Sequence, residues 1–375
     1  MSSIAKTTTR GGETRYKVYW RDPAGCLREK WFERKADADR FAHGVETDKS
    51  RGCYIDARAG RIKVADWAEV WLATKVAKKP KTLAGYRELL GSVVLPRFGK
   101  VALNGIRPSD VKKWLAELGE RGLSASRVRQ AFFVLSGLLT SAVDDDLIAR
   151  NPASAAVTLL PPPPPKRDIF LTGEQIDRLA AAAGGAWSVL IYTMAYAGLR
   201  WGEAAGLRRS GCGLLHRRLH VVEAISEVDG RIHFVEPKSV TSARWVRIPA
   251  FLAEMLGEHL ATRADQPGDP LVFAAPDGGP LRYSNFRSRV WKPAVAAAGL
   301  PESLSIHHLR HSAAALMIRE GAHIELVRDQ LGHSSIGVTQ RYAHLYPGAA
   351  EEVAARLDHS FRERTRWVAV GLGAS

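Results

Sequence analysis

Five consecutive prolines, Pro161 to Pro165, constrain this chain more than any other feature. Proline has no backbone N–H and a fixed φ, so such a run neither continues a helix nor joins a sheet. It is a linker. In polyproline II geometry it spans roughly 15 Å at about 3.1 Å per residue, a semi-rigid spacer that lets two folded parts clamp a ligand from both sides. A chain of 375 residues also exceeds one ordinary domain and predicts two or three.

The segments around the linker differ in period. From residue 14 to 32, Tyr16, Val18 and Trp20 alternate with Arg15, Lys17 and Tyr19, and Asp22-Pro-Ala-Gly25 supplies a turn before Leu27 to Phe32. Ala38, Phe41, Ala42 and Val45 follow at helical spacing, so the start reads as a β-β-α module with a basic, aromatic sheet face. Such a face suits DNA; a small solvated domain or a dimerisation arm is the bland alternative. From Val64 to Ala149 the period is helical, with stripes at Trp67, Val70 and Trp71, at Leu83, Tyr86 and Leu90, and at Val111, Leu115 and Leu118. A fourth helix after Ser124 turns Val128, Phe132, Leu135, Leu139 and Ala142 inward, leaving Arg127 and Arg129 outside as phosphate contacts or as solvated charges. Asn151-Pro152 ends this bundle.

Beyond Lys166, helices begin at Thr172 and Ala186, and the period then changes to strands at Leu219 to Ala224 and Ile232 to Glu236 around an Asp229-Gly230 type I′ turn signal. A third strand is expected at Trp245 to Ile248, and the rest is mainly helical. The expected fold class is therefore mainly α with small β-sheets, in several domains. These are an N-terminal module over 1–60, a helical domain over 61–155, a Pro-rich linker over 156–167, and an α-rich mixed domain with a β-hairpin over 168–375.

The formal net charge of +15, from 54 Lys and Arg against 39 Asp and Glu, favours a polyanionic partner. The basic residues are spread through the chain, which predicts a protein that wraps nucleic acid with several surfaces and binds in a salt-dependent way. Three cysteines, Cys26, Cys53 and Cys212, stand far apart, which argues against a disulfide framework or a cysteine-based zinc site and fits a reducing cytoplasm. The first residues lack the apolar core of a signal peptide, so export is not expected. Leu179 to Leu199 is uncharged and long enough to cross a bilayer, but Gly184-Gly185, Thr193 and two tyrosines make it a buried helix rather than a membrane span.

Four segments carry chemistry: Ala197-Gly-Leu-Arg-Trp-Gly-Glu203, Pro237-Lys-Ser239, His307-His-Leu-Arg310, and Leu331-Gly-His-Ser334 followed by Thr339-Gln-Arg-Tyr342. Each is weak alone; an isolated His-x-x-Arg is more often a surface pair. Ile306, Leu309, Ala313 and Leu316 mark an inward stripe on which His307 and Arg310 can point to one cleft.

In this order the segments resemble the active-site boxes of the tyrosine recombinase family, which includes phage integrases and the Xer chromosome-dimer resolvases. The resemblance implies that Arg200 is the first catalytic arginine, Lys238 the lysine of the β-hairpin, His307 and Arg310 the His-x-x-Arg pair, His333 the second histidine and Tyr342 the nucleophile. Glu203 matches an acidic residue often found after the first arginine, and His308 departs from the Asp of many relatives. The helical region resembles the core-binding domain in outline, and the β-β-α start the arm-binding domain of many integrases.

The chemistry needs these residue types. Attack on a phosphodiester spreads charge over the non-bridging oxygens, and a preorganised guanidinium is worth about 3 kcal/mol in the transition state. A tyrosine hydroxyl of ordinary pKa, about 10, is ionised in only on the order of one molecule in a thousand at neutral pH. Arginines that lower that pKa and a histidine that takes the proton therefore have work here. That gives His307 a general-base role and His333 a supporting one, a division the sequence leaves open, with Lys238 as proton donor to the leaving 5′-oxygen.

The tyrosyl ester conserves the bond energy, so resealing needs no ATP. No metal or cofactor is expected: His307 and His311 are four apart, but the zinc pattern requires Glu where His308 stands. The implied partners are double-stranded DNA at attachment sites, a homotetramer formed on DNA, a DNA-bending host factor and an excision factor. Two other functions remain open: a non-catalytic regulator with a helix-turn-helix over His323 to His344, and a type IB topoisomerase-like nicking-closing enzyme.

Overall fold

A computed structural model describes residues 2–8, 13–22, 25–50, 54, 58–163, 169–235, 243–332, 354–355 and 357–362. The chain divides into two units, Met1–Pro165 and Lys166–Ser375, at the end of the proline run.

The first unit starts with strands β1 (Ser3–Thr8), β2 (Thr14–Arg21) and β3 (Leu27–Phe32) and helix α1 (Lys35–Ser50). The sheet is antiparallel in the order β1-β2-β3. This corrects the expected β-β-α start to β-β-β-α. The sequence of β1, SIAKTT, has no apolar alternation, yet it pairs with β2 from Ser3↔Tyr19 to Thr8↔Thr14. An edge strand of this kind is held by backbone bonds to its neighbour and packs little more than Ile4 on the core.

Val18 and Trp20 of β2 form that core with Ala38, Ala42 and Val45, and Phe41 meets Trp20 edge-on at 5.1 Å. On the opposite face Lys17 pairs with Glu29 at 2.6 Å and lies over the rings of Tyr19 and Trp31 at 5.0 and 4.7 Å. The alternation of residues 15–20 thus sorts core from surface as predicted.

A separate core is built by α2 (Val64–Ala73), α3 (Pro80–Leu89), α4 (Leu95–Phe98), α5 (Pro108–Glu120) and α6 (Ala125–Asp144). Its stripes are those of the sequence, with two corrections: on α3 Leu89 is buried beside Leu90 while Leu83 is half-buried and outside this core, and on α2 the stripe shifts. Val70 is 46% exposed, and Ala68 takes its place beside Trp67 and Trp71.

Ser124 caps α6 by accepting from the Arg127 N–H at 3.3 Å. Asn151 ends the bundle by donating to the Ser136 carbonyl and Thr140 Oγ1, at 3.0 and 2.9 Å, while accepting from Ala153 N at 2.9 Å. The two arginines of α6 are engaged rather than simply solvated. Arg127 pairs with Glu88, and Arg129 donates to the Pro161 carbonyl at 3.1 Å, tying α6 to the start of the proline run.

The second unit begins with α7 (Gly173–Ala183), capped reciprocally by Thr172 and Gln175, and α8 (Gly185–Ala197). Gly184, at φ 68°, breaks the apolar 179–199 stretch into these two helices. Among the described residues no helix is long and apolar enough to cross a membrane.

Next come α9 (Trp201–Ala205), β4 (Cys212–Gly213), β5 (Arg218–Val221), β6 (Ala224–Val228), β7 (Arg231–Val235) and β8 (Arg244–Arg247). The expected first strand is in fact the end of β5 and the start of β6. The type I′ turn is present, with positive φ at both Asp229 and Gly230. Among the described residues β6 pairs with β7 alone, while β8 returns to pair with β5 in a β4-β5-β8 sheet.

Helices α10 (Ala250–Ala261), α11 (Tyr283–Phe286), α12 (Lys292–Ala297), α13 (His307–Arg319) and α14 (Ile324–Leu331) follow. α13 runs through the interior against α8, which is why Leu309 to Ala315 are all buried and its polar members need partners.

Candidate active site

The site is assembled from the α8–α9 turn, β8, the buried face of α13 and the last turn of α14. α8 stops at Gly198, in the left-handed conformation (φ 68°, ψ 25°), and the chain re-enters a helix with Arg200 as N-cap residue of α9. Three residues on, Glu203 closes that turn. Its Oε2 accepts from the Arg200 backbone N–H at 3.0 Å and its Oε1 from Arg200 Nη1 at 2.7 Å. A carboxylate at this position also suits the positive end of the short helix.

Glu203 is a hub for two further cations. Arg244 of β8 grips it with both Nη atoms, Nη1 to Oε1 at 3.2 Å and Nη2 to Oε2 at 3.0 Å, and Arg310 Nη1 stands 3.9 Å from Oε2. Burial pushes the Glu203 carboxyl up, but the hydrogen bonds and charge of Arg244, then the charge and N–H of Arg200, more than offset it and hold the carboxyl at about 2. The group is therefore ionised at neutral pH, and three guanidiniums against one carboxylate leave the cluster at +2. Arg310 and Arg244 are almost entirely buried, whereas the Arg200 side chain is 43% exposed and accessible to a ligand.

The same three arginines bind consecutive carbonyls at the C-terminal end of α14. Arg244 Nε donates to Gln330 O at 3.1 Å, Arg310 Nη2 to Leu331 O at 2.5 Å, and Arg200 Nη2 to Gly332 O at 3.3 Å. The last carbonyls of a helix lack intrahelical partners and carry its negative end, so cations are well placed there. Gln330 adds a two-way bond to the Arg247 backbone, at 3.2 and 2.5 Å, fixing α14 to β8. Arg310 Nη1 also donates to Gly198 O at 2.7 Å.

The expected arginine pair, Arg200 and Arg310, is thus brought together on one carboxylate and one helix end. His307 occupies the first position of α13, exposed, with its ring 4.7 Å from that of buried His311. Lys238, His333 and Tyr342 lie outside the described residues. Lys238 falls between β7 and β8, not in the Asp229-Gly230 turn, and His333 directly follows Gly332.

His308, where the family resemblance leads one to expect Asp, accepts the Ser305 backbone N–H on Nδ1 at 2.9 Å, so it supplies the acceptor that a carboxylate offers at a helix start. Sequence reasoning passed over Arg244 and Gln330. The available signal was strand parity: counting back from Ile248 and Val246, residue 244 points inward, and a buried arginine demands a carboxylate.

Residues 169–348 match the phage integrase family, and residues 63–119 match the phage integrase N-terminal SAM-like domain. The chain belongs to the phage integrase family. All six expected site positions fall within the 169–348 match. A putative prophage phiRv2 integrase of Mycobacterium tuberculosis is 28% identical over 352 residues, which span 92% of each chain.

Among solved structures, the Tn1549 transposon integrase in complex with a circular intermediate DNA has a TM-score of 0.69 at 19% identity, over 79% of this chain and 99% of that one. A lambda integrase tetramer bound to a Holliday junction has a TM-score of 0.57 at 17% identity, over 90% and 94%. As a member of the phage integrase family, the protein is a site-specific tyrosine recombinase that cleaves and rejoins DNA through a 3′-phosphotyrosyl intermediate. Of the readings that the sequence left open, the recombinase is the one this membership selects.

Proposed function

We propose that this recombinase acts on double-stranded attachment sites of a mobile element, with Arg200 and Arg310 stabilising the scissile phosphate and Tyr342 as its nucleophile. The observation that carries this reading is the convergence of Arg200 and Arg310 on Glu203 and on successive carbonyls at the end of α14. Planar, permanently charged donors fixed before the reaction cost no reorganisation when charge develops on the phosphate oxygens.

The Tyr342 hydroxyl attacks phosphorus and passes its proton to His307, with His333 hydrogen-bonded in support. The bond from phosphorus to the 5′-oxygen breaks, and Lys238 protonates the leaving oxygen. A 5′-hydroxyl of the partner strand later attacks the tyrosyl ester and releases Tyr342, so bond energy is conserved without ATP.

Residues 168–375 form the catalytic domain in this reading, 156–167 the linker and 61–155 the core-binding domain, the last supported by the SAM-like match over 63–119. Residues 1–60 form an arm-binding domain that presents the Lys17 and Trp31 face to DNA. Exchange of four strands requires four sites, and the fold is shared with an integrase that forms a tetramer on a Holliday junction, which supports a homotetramer on DNA. A DNA-bending host factor and a small excision factor set the direction of the reaction.

The test is trapping on nicked suicide substrates carrying candidate attachment sites, resolved on denaturing gels. Wild type is expected to form a covalent adduct and Tyr342→Phe none. Specific binding without an adduct, with Arg200→Ala and Tyr342→Phe indistinguishable from wild type, would overturn the assignment.

A further inference from the structure

We infer that Arg244 is a positioning residue for strand cleavage: one side chain on β8 that fixes Glu203, and through it Arg200 and Arg310, while holding the end of α14 from which the chain enters His333. The inference rests on the reading of Arg200 and Arg310 as the phosphate-stabilising pair.

The geometry gives Arg244 this task in three ways. It is only 9% exposed and directs its fork at Glu203 and its Nε at Gln330 O, so it bears on Arg200, whose side chain is 43% exposed, through their shared carboxylate. It also engages both oxygens of Glu203, which the Arg200 side chain reaches through Nη1 and Arg310 Nη1 approaches at 3.9 Å. Without Arg244 the buried carboxylate keeps its charge and pulls those two guanidiniums inward, away from a phosphate and in competition with it.

Arg244 also joins segments distant in sequence. It begins the strand that follows Lys238, binds the box of Arg200 and Glu203, and binds Gln330 three residues before His333. Gly332 leaves room for it: a Cβ there would sit 2.9 Å from Arg244 Nε.

The experiment uses the full-length protein on a nicked suicide substrate at saturating protein, with the scissile phosphate either natural or replaced by a neutral methylphosphonate. Wild type, Arg244→Met, Arg244→Lys and Arg200→Ala are compared for site affinity, thermal midpoint and the first-order rate of strand cleavage. Arg244→Met is expected to bind the site as wild type does and to cleave the phosphate more slowly by on the order of a hundredfold, the scale of a small misplacement of catalytic groups. That deficit is expected to shrink on the methylphosphonate, where the transition state carries one negative charge fewer for the displaced guanidiniums to neutralise. Arg244→Lys, which keeps the charge but loses the fork, is expected to recover part of the rate.

Wild-type cleavage by Arg244→Met beside an inactive Arg200→Ala overturns the inference and leaves the site reading intact. Wild-type cleavage by Arg200→Ala overturns the site reading itself. Equal slowing of Arg244→Met on both substrates assigns Arg244 to folding alone and also overturns the inference. If Arg244→Met does not fold, Arg244→Lys decides by the same comparison of substrates.

Discussion

Gly198 and Leu331 are packed so closely that a Cβ added to Gly198 would lie 2.3 Å from Leu331 Cδ2. Both sit at the meeting of α8, α13 and α14, and the Gly198 and Leu331 carbonyls both accept from Arg310. Gly198 is also left-handed, at φ 68°. Gly198→Ala therefore adds a backbone penalty of about 1–2 kcal/mol to the overpacking of a buried contact, which costs a further 1–3 kcal/mol or so. A lower thermal midpoint and impaired strand cleavage are expected together. Leu331→Ala in the same chain should relieve the clash and recover part of the stability while leaving the φ penalty, which thermal melts of the single and double variants will measure.

The Glu203 carboxyl is held at about 2, against an ordinary 4.5. The folded state thus binds this proton less readily than the unfolded chain, and the resulting stability is complete above pH 4.5 and is lost as pH falls toward 2. The shift corresponds to on the order of 3 kcal/mol, of which about 1 kcal/mol is gone by roughly pH 3.5. Urea unfolding at a series of pH values should show wild type losing more stability over that window than Glu203→Gln. At neutral pH Glu203→Gln should be the less stable by about 3–5 kcal/mol, because it strands Arg244 in the interior.

The parts of this site that were legible in sequence are those written in local patterns. The stripes of α5 and α6, the I′ turn at Asp229-Gly230 and the cap at Ser124 each follow from spacing over a few residues. The proline run divides the chain because its chemistry excludes both regular structures. Arg200 and Arg310 were legible as an ordered pair of boxes.

β1 was not legible, because its partner β2 supplies the order that SIAKTT lacks. Val70 sits at a helical spacing that fits the stripe, yet α2 buries Ala68, and the choice between them depends on the neighbours of α2. Arg244 was overlooked for a similar reason. Its carboxylate lies forty-one residues earlier and its carbonyl eighty-six residues later, so only the folded chain displays the pairing.

His308 tests whether the departure from the family's Asp keeps the same physical role. Its Nδ1 accepts from the Ser305 N–H, and its backbone carbonyl accepts from Ser312 Oγ at 2.8 Å. His308→Asp retains a side-chain acceptor in reach of Ser305 and should leave stability and cleavage close to wild type. His308→Ala removes the acceptor from the start of the helix that carries His307 and Arg310, at a cost of about 1 kcal/mol. Thermal melts of the two variants separate these outcomes; equal destabilisation by both would mean that the imidazole contributes by packing instead.

Cys212 provides a probe of the second unit without any substitution. Burial, and then the charge of Asp269, push its thiol up to about 12, and its Sγ lies 3.7 Å from the Arg208 carbonyl. At pH 8 a thiol of that kind is ionised in only on the order of one molecule in ten thousand, and the thiolate is the reacting form. Cys26, by contrast, is exposed at the end of the β2–β3 turn. Iodoacetamide should therefore label Cys26 in the native protein long before Cys212, with Cys212 becoming reactive on denaturation. Peptide mass spectrometry over a labelling time course checks this, and early modification of Cys212 in the native protein would mean that the β4–β5 region opens far more readily than its packing implies.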